Sequence, residues 1–440
     1  MPVLTTLQGY KKENLPKDLL SGVVIAAVSI PISMGYAQIA GLPAVYGLYG
    51  SVLPVLLFAL FSTSPQFIFG VDAAPAAMVG AVLSSLGVAL GSGEAVALVP
   101  VLTFYTALWL LLFAALRAGK VLNFISTPVM GGFISGICCT IILMQTPKLL
   151  GGTAGTGELP ELTRHLIAAC GEIHWLSLAL GLAALGILLA GKRLFPKFPM
   201  AIAIMALGAV CSVALDLPMR GVATLAAVEP GLPPLRLPDL RLLSPAQALG
   251  STLPVAVVIM AETLLAENSF ALRGDYTLRD NREILTFSLS NFAACLVGCC
   301  PVNGSVSRSS MNEQYGGRTQ AVSLIAAAVM SCMLLLGTGF IQYLPIPVLT
   351  AIVISALMGA TEFHIAHRLF RADRKEFYIF VGAFLGVLVL GTIYGVIIGV
   401  LLSFADVIHR ASQPKRDFLG VIPGEPGFYP QGRMSQAQPI

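Results

Sequence analysis

Long apolar stretches separated by short polar segments dominate this chain of 440 residues. A helix needs about 20 consecutive apolar residues to cross the hydrocarbon core of a bilayer, and about fourteen stretches approach that length. They lie near 18–40, 44–62, 75–91, 98–116, 121–145, 173–191, 198–215, 250–271, 284–300, 308–318, 320–341, 344–360, 376–391 and 393–409. The pattern predicts an all-α polytopic membrane protein with about fourteen transmembrane segments.

A polar, Pro-rich stretch at 216–248 divides these segments into two halves. We predict a first repeat over 18–215 and a second repeat over 249–410, joined by this stretch as an extracellular or periplasmic linker. Residues 1–17 and 411–440 are predicted to be cytoplasmic segments.

The composition agrees with a membrane protein and excludes several other classes. Hydrophobic residues make up 56% of the chain and charged residues 11%, and the mean hydropathy is +0.84. A soluble enzyme needs more charge to solvate its surface, and a disordered chain is more polar. The net charge of +4 gives no indication of a nucleic-acid partner. The Cys and His spacing does not suggest a metal site, so no cofactor is expected.

The positions of Lys and Arg predict the orientation in the membrane, because cytoplasmic loops carry an excess of both. If fourteen segments alternate and both termini are cytoplasmic, most basic residues fall on the cytoplasmic side. The outside loops then hold only Lys148, Arg164, Arg220, Arg236 and Arg241. We therefore predict an integral plasma membrane protein, or an inner membrane protein if the chain is bacterial.

Two predicted segments are interrupted by Gly, Pro and polar residues, one at 70–75 and the other at 301–310. Interrupted segments at matching positions of two halves are typical of transporters with inverted repeats. In that design the amino ends of two half-helices face each other near the midplane. Each end carries about half a positive charge and unpaired N–H donors, which suit an anion. The breaks therefore predict an anion site.

The second break carries the candidate ligands. Arg318, at the end of its segment, is assigned to the cytoplasmic side, so Arg308 is the one basic residue assigned to the membrane. Charges at this depth usually mark a substrate path. Ser305 and Ser307 can cap the following helix or donate hydrogen bonds to an oxyanion. In the alternative interpretation, the serines only cap the helix, and Arg308 snorkels towards the membrane surface or pairs with Glu262 or Asp72.

Acidic residues at the same depth are candidates for coupling. Glu262 lies on the first helix of the second half and could carry a coupling proton. Glu267 follows five positions later, about 140° around the helix, so the two carboxylates cannot share a face. We predict a structural role for Glu267, with Arg273 or water as its partner.

These residues resemble those of the SulP family of anion transporters. The stretch LPKDLLSGVVIAAVSIPISMGYAQIAGLPAVYGLYGSVLPVLLFALFSTSPQFIFGVDAAPAAMVGA is similar to the opening of that family. NGSVSRSSMNEQYGGRTQ is similar to its tenth-helix motif, and ASQPKRDFLGVIP resembles its linker into a STAS domain. The resemblance covers essentially the whole chain. It implies a seven-plus-seven inverted repeat with core and gate domains, a homodimer, and a STAS domain that these residues do not include.

The resemblance also implies a substrate site between the third and tenth helices, lined by the first and the eighth. Its residues here are the Ser-Arg pair Ser307 and Arg308, the first-helix aromatic Tyr36, Asp72 and Ala73 at the third-helix start, and the coupling position Glu262. To these we add Ser305 as a hydroxyl donor.

Two departures from the family pattern affect the expected chemistry. Many members have Gln where this chain has Ile32, so one polar substrate contact is missing. Sodium-coupled relatives place a hydroxyl one turn after the acidic residue, and Ala266 occupies that position here. We therefore expect protons rather than sodium to be the coupling ion.

The sequence thus predicts a secondary active transporter of small anions, such as sulfate, another oxyanion, bicarbonate or a dicarboxylate. Coupling to protons and an elevator movement are expected. An uncoupled anion channel, an anion exchanger or a nucleobase carrier of the same fold are the alternatives within transport. An intramembrane serine hydrolase using Ser307 would need a general base at depth. The five histidines instead lie in loops or at segment ends, so we expect no enzyme.

Overall fold

The computed structural model describes residues 5–7, 10–119, 127–155, 159–195, 198–228, 230–372, 374–391, 398, 401, 412, 419–421, 429–430 and 438–439. Its helices are α1 Leu15–Ile39, α2 Val45–Tyr49, α3 Leu53–Phe61, α4 Ala73–Ser85, α5 Gly93–Ala115, α6 Thr127–Leu149, α7 Leu159–Gly171, α8 Trp175–Leu194, α9 Met200–Ala214, α10 Pro245–Gly274, α11 Asp280–Leu296, α12 Val306–Gln314, α13 Ala321–Leu336, α14 Ile346–Ala360, α15 Phe363–Ala372 and α16 Arg374–Leu390. The strands are β1 Phe69–Val71, β2 Val302–Gly304, β3 Leu419–Val421, β4 Tyr429–Pro430 and β5 Gln438–Pro439.

The described helices follow the predicted segments. Each of the first thirteen segments overlaps one of them, and the fourteenth, 393–409, lies almost wholly outside the described residues. Among the described residues, six helices are long and apolar enough to cross a membrane. They are Lys12–Ile39, Gly93–Ala115, Pro128–Leu149, Trp175–Leu194, Pro245–Leu272 and Ile346–Ala372. The predicted all-helical membrane fold is confirmed.

Local sequence signals explain where several helices begin. α10 begins at Pro245, five residues before the predicted start, because Ser244 caps it and accepts the N–H of Gln247 at 3.4 Å. Ser followed by Pro at the first helical position is a strong start signal. The second predicted segment is not continuous. It divides into α2 and α3, with Pro54 within the first turn of α3.

Two further helices lie in regions that the sequence analysis treated as loops. α7 follows the fifth predicted segment, and α15 precedes the thirteenth. Both are short and amphipathic, of 13 and 10 residues, with one buried leucine each, Leu162 and Leu369, and with charged or polar residues between the apolar ones. Their short length and their charged residues kept both helices below the length of apolar sequence that predicts a membrane segment.

The helices form two groups that draw on both halves of the chain. In the core domain, defined as α1–α5 with α10–α13, α1 packs against α13, and α5 packs against α10 and α11. In the gate domain, defined as α6–α9 with α14–α16, α6 packs against α16 and α14, and α8 packs against α14. The domains contact each other mainly through α1 with α14 and α9, α4 with α6, and α12 with α14. This interleaving fits the seven-plus-seven arrangement that the resemblance implies.

Candidate functional site

A short antiparallel ribbon joins the two interrupted segments inside the core domain. β1 pairs with β2 so that Phe69 faces Gly304 and Val71 faces Val302. All six strand residues are buried. Extended backbone in a membrane protein must satisfy its N–H and C=O groups within the protein, and the two strands do this for each other. The half-helices α4 and α12 start from opposite ends of this ribbon.

Capping differs between the two half-helices. Asp72 caps α4 and accepts the N–H of Ala73 at 2.6 Å. Ser305 occupies the corresponding position of α12, but its side chain makes no capping bond there. Its hydroxyl instead hydrogen-bonds the Asp72 carboxylate and lies 3.4 Å from the hydroxyl of Ser307. The expectation that the serines cap α12 is therefore wrong for Ser305, because Asp72 is a stronger acceptor within reach.

Arg308 crosses the ribbon from the first turn of α12. Its side chain is 2% exposed, and Nη2 donates to the carbonyl oxygen of Val71 at 2.8 Å. The same nitrogen lies 3.6 Å from Asp72 Oδ2, while Nη1 lies 3.4 Å from the hydroxyl of Ser29 on α1. The guanidinium thus holds the end of β1 and the cap of α4. Glu262 and Asp72 were the partners considered for Arg308 from the sequence, and the structure pairs Arg308 with Asp72.

The Arg308 guanidinium lies close to the ribbon at Gly70, where there is no side chain. A Cβ atom there would lie 3.0 Å from Nη1 of Arg308, in the space that the guanidinium occupies. A larger residue would push the guanidinium by a few tenths of an ångström from its position beside Val71 and Asp72. Gly70 in the first break therefore leaves room for the side chain of Arg308 in the second break.

Glu262 reaches the ribbon from α10 through a chain of hydrogen bonds. The Asn303 amide donates to Glu262 Oε2 at 2.7 Å, and the Thr263 hydroxyl donates to Asn303 Oδ1. Thr263 in turn accepts the N–H of Gly304 at 3.0 Å. These bonds attach α10 to β2 and place a carboxylate at the middle of the ribbon.

Tyr36 and Ala73 complete the buried side of the site. Tyr36 on α1 is 4% exposed and interacts electrostatically with Asp72, Arg308 and Glu262. Ala73 is also buried, at the start of α4. The structure therefore gathers these predicted residues around one ribbon, as the inverted-repeat design requires.

Ser307 lies on a different surface from its neighbour Arg308. It is exposed and lines a cavity of about 260 Å³ between α1 and α12 of the core domain and α8, α9 and α14 of the gate domain. Ile32 also lines this cavity, whereas Arg308 does not. The position where many SulP members have Gln is thus an apolar part of the cleft wall.

Several residues that support the site were not singled out from the sequence. Asn291 donates to the Val302 carbonyl at 3.1 Å and accepts the Val302 N–H at 2.9 Å. Asn312 on α12 donates to the Gln66 carbonyl at 2.7 Å. The available signal in the sequence was the polar residue Asn303 within the second break. A polar side chain beside an interrupted helix indicates that amide groups nearby satisfy the freed backbone N–H and C=O groups.

Glu267 stands apart from the ribbon. It is fully buried on α10, and neither carboxylate oxygen has a hydrogen-bond partner among the described residues. The side chain of its predicted partner, Arg273, lies outside the described residues. Its role therefore stays a prediction.

Comparisons with known proteins agree with this architecture. Residues 15–383 match the sulfate permease family. A probable sulfate transporter of Mycobacterium tuberculosis is 30% identical over 98% of this chain and 78% of its own length. The murine anion transporter Slc26a9 has a similar fold, with a TM-score of 0.85 at 21% identity over 100% of this chain and 76% of that one. The transmembrane domain of the cyanobacterial bicarbonate transporter BicA has a TM-score of 0.79 at 21% identity, over 92% of this chain and 100% of that one. The chain belongs to the sulfate permease family.

Proposed function

We propose that this protein is a proton-coupled secondary active transporter of small anions that works by an elevator movement of the core domain. The main support is the pair of half-helices that begin at one buried ribbon, beside Arg308 and Glu262. Helix amino ends favour negative charge and supply N–H donors. Sulfate is the first substrate to test, because the most similar relatives are named as sulfate transporters.

The charges around the ribbon explain why a proton would accompany the anion. Arg308 contributes one positive charge, and Asp72 and Glu262 contribute one negative charge each when ionised, which leaves a balance of one negative charge. These side chains therefore repel an arriving dianion and offset part of the attraction that the two helix amino ends exert on it. A proton on Glu262 brings the balance to zero and removes one of the two repelling carboxylates. The anion and the proton therefore stabilise each other in the site.

An elevator movement is consistent with the position of the ribbon. Both half-helices, the ribbon and the α10 carboxylate belong to the core domain, and the gate domain meets them across the cleft that Ser307 lines. A displacement of the core domain along the gate domain would carry all of these groups together. The site would then reach either side of the membrane without being dismantled.

The test of this proposal is uptake into proteoliposomes with and without an inward proton gradient. Radiolabelled sulfate, bicarbonate, chloride and dicarboxylates are compared, and replacement of sodium by choline is expected to leave uptake unchanged. Glu262→Gln mimics the protonated carboxyl, and its amide oxygen can still accept from Asn303. We expect this variant to keep exchange of labelled substrate across the membrane and to lose uphill accumulation.

Glu267→Gln is the matched control, because it removes a second buried carboxylate from the same helix. It should still accumulate substrate under a proton gradient. Accumulation by Glu262→Gln, or a requirement for sodium in the parent protein, would contradict proton coupling through Glu262. Asp72 would then be the next carboxylate to test.

The proposal includes a homodimer in the plasma membrane with cytoplasmic termini. Light scattering of the purified protein in detergent would give its mass, and a monomer would contradict the dimer. The same mass measurement on every variant below shows whether the substitution has changed the oligomeric state.

A further inference from the structure

The cleft beside Ser307 contains a positive charge that the ribbon site does not use. Lys192 and Ser355 line this cavity from the gate domain, opposite Ser307 on the core domain. Among the described residues that line it, Lys192 alone carries a formal charge. The rest of the wall is largely apolar, so this charge determines which ions the cleft attracts.

The Lys192 ammonium has hydrogen-bond donors to spare. Its Nζ donates to the carbonyl oxygen of Ser355 at 2.7 Å, and a methyl group at Gly359 would lie 3.7 Å from it. The ammonium thus lies against one face of α14. It has three donors, and the carbonyl accepts one of them. Lys192 is exposed at the cleft surface and forms no ion pair with a carboxylate across the described part of the chain, so its remaining donors are open to a bound anion.

Ser355 adds a second, independent indication of a ligand. Its hydroxyl is buried and has no hydrogen-bond partner among the residues that the structure describes. Buried hydroxyls are usually paired, and an unpaired one in a cavity wall marks a place for a water or a ligand. The ammonium of α8 and the hydroxyl of α14 line the same cavity, and the hydrogen bond from Lys192 to the Ser355 carbonyl brings the two residues together.

We propose that Lys192 and Ser355 form a second anion-binding site in this cleft, through which the transported anion passes between the cytoplasm and Ser307. This proposal rests on the proposed function and on the predicted topology, in which the Lys192 end of α8 faces the cytoplasm. Lys192 and Ser355 belong to the gate domain, whereas Ser307 moves with the core domain. The second site therefore faces Ser307 only when the core domain occupies its inward position.

The test measures occupancy of the cleft directly. A cysteine is placed at Gly359, beside Lys192, in a background without the native cysteines. In everted membrane vesicles, its alkylation by a charged maleimide is timed in sulfate and in gluconate of equal ionic strength. We expect sulfate to slow alkylation about tenfold, as a charge-assisted contact would. Lys192→Gln and Lys192→Met should remove this protection, and Lys192→Arg should keep it.

Arg193→Gln is the matched control, because Arg193 is the exposed neighbour on the same helix end and does not line the cleft. It should keep full protection. Protection that survives both neutral Lys192 variants, or that Arg193→Gln also removes, would overturn the proposal. Sulfate uptake without protection would also overturn it. Protection without any sulfate uptake would uphold the second site and contradict the proposed transport function.

Discussion

At the scale of single residues, the partners of Arg308 determine what the site can offer an anion. Its charge is balanced by Asp72 and its Nη2 is held by the Val71 carbonyl. The sequence was sufficient to identify both charged residues, because each is rare at membrane depth. It could not show that they pair, since they are more than 230 positions apart and meet only through the ribbon.

Removal of the Arg308 side chain should affect binding and stability separately. We expect Arg308→Ala to weaken sulfate affinity about tenfold and to lower the free energy of unfolding by about 2 kcal/mol, since Asp72 loses its counter-charge. Uptake at low sulfate concentration and thermal melts in detergent measure the two effects. Arg308→Ala combined with Asp72→Asn should recover stability but not affinity.

Ser310→Ala is the matched control, because Ser310 is an exposed residue of the same helix. It should leave the melting temperature and the uptake unchanged. Recovery of affinity in the double variant would show that Arg308 only neutralises Asp72. Unchanged uptake in Arg308→Ala would give the arginine a purely structural role.

At the scale of elements, the two breaks could be predicted, whereas the ribbon could not. Gly and Pro in an apolar segment indicate an interruption, but they do not indicate how the freed backbone groups are satisfied. The pairing of β1 with β2 answers this, and it depends on contacts between the halves. α7 and α15 were missed for another reason, because an apolar-length criterion passes over short amphipathic helices.

Tight packing around the ribbon predicts a strong effect of Gly304→Ala. The added Cβ would overlap the ring of Phe67 and the methyl group of Thr263, and both side chains are fully buried. We expect a loss of about 2 kcal/mol in the free energy of unfolding, measured as a lower melting temperature. Gly250→Ala, where a methyl group meets open space inside α10, should be neutral or slightly stabilising. Equal melting temperatures for the two variants would contradict this packing.

Asp18 attaches the start of α1 to the segment that precedes α13. Its carboxylate accepts the Arg318 N–H and the Thr319 hydroxyl, each at 2.7 Å, and it is fully buried. Asp18→Ala leaves both donors without their acceptor, and we expect it to cost about 2 kcal/mol of stability. Glu13→Ala, at an exposed position one turn earlier, should have no effect on the melting temperature. A similar melting temperature for both variants would show that water replaces the carboxylate.

At the scale of the whole molecule, the interleaving of the halves defines the two domains. The pattern of apolar segments predicted the position and order of the helices that overlap the first thirteen segments, but it missed α7, α15 and the division between α2 and α3. It carried no information on which helices pack together, because lipid-facing and protein-facing surfaces of such helices are equally apolar. The pairing of α1 with α13 and of α6 with α16 had to be observed.

The predicted orientation can be tested by thiol labelling in a cysteine-depleted background. A cysteine in place of Arg193 or Lys375 should react only from the cytoplasmic side, because an excess of basic residues marks that side. A cysteine in place of Pro233, in the polar linker between the halves, should react only from outside. Reaction of both sets from one side would contradict the fourteen-segment topology.

The ribbon between the half-helices also limits how selectivity can depend on direction. Because β1, β2 and Arg308 hold both helix starts together, an anion that reaches the ribbon would meet the same donors there whichever side it arrives from. Under the proposed elevator movement the ribbon ranks competing ions in one order for both faces of the membrane, and the proposed Lys192–Ser355 site adds its contacts only on the cytoplasmic side. Sulfate and its competitors should therefore inhibit transport in the same order from either side, even where the two sides differ in apparent affinity.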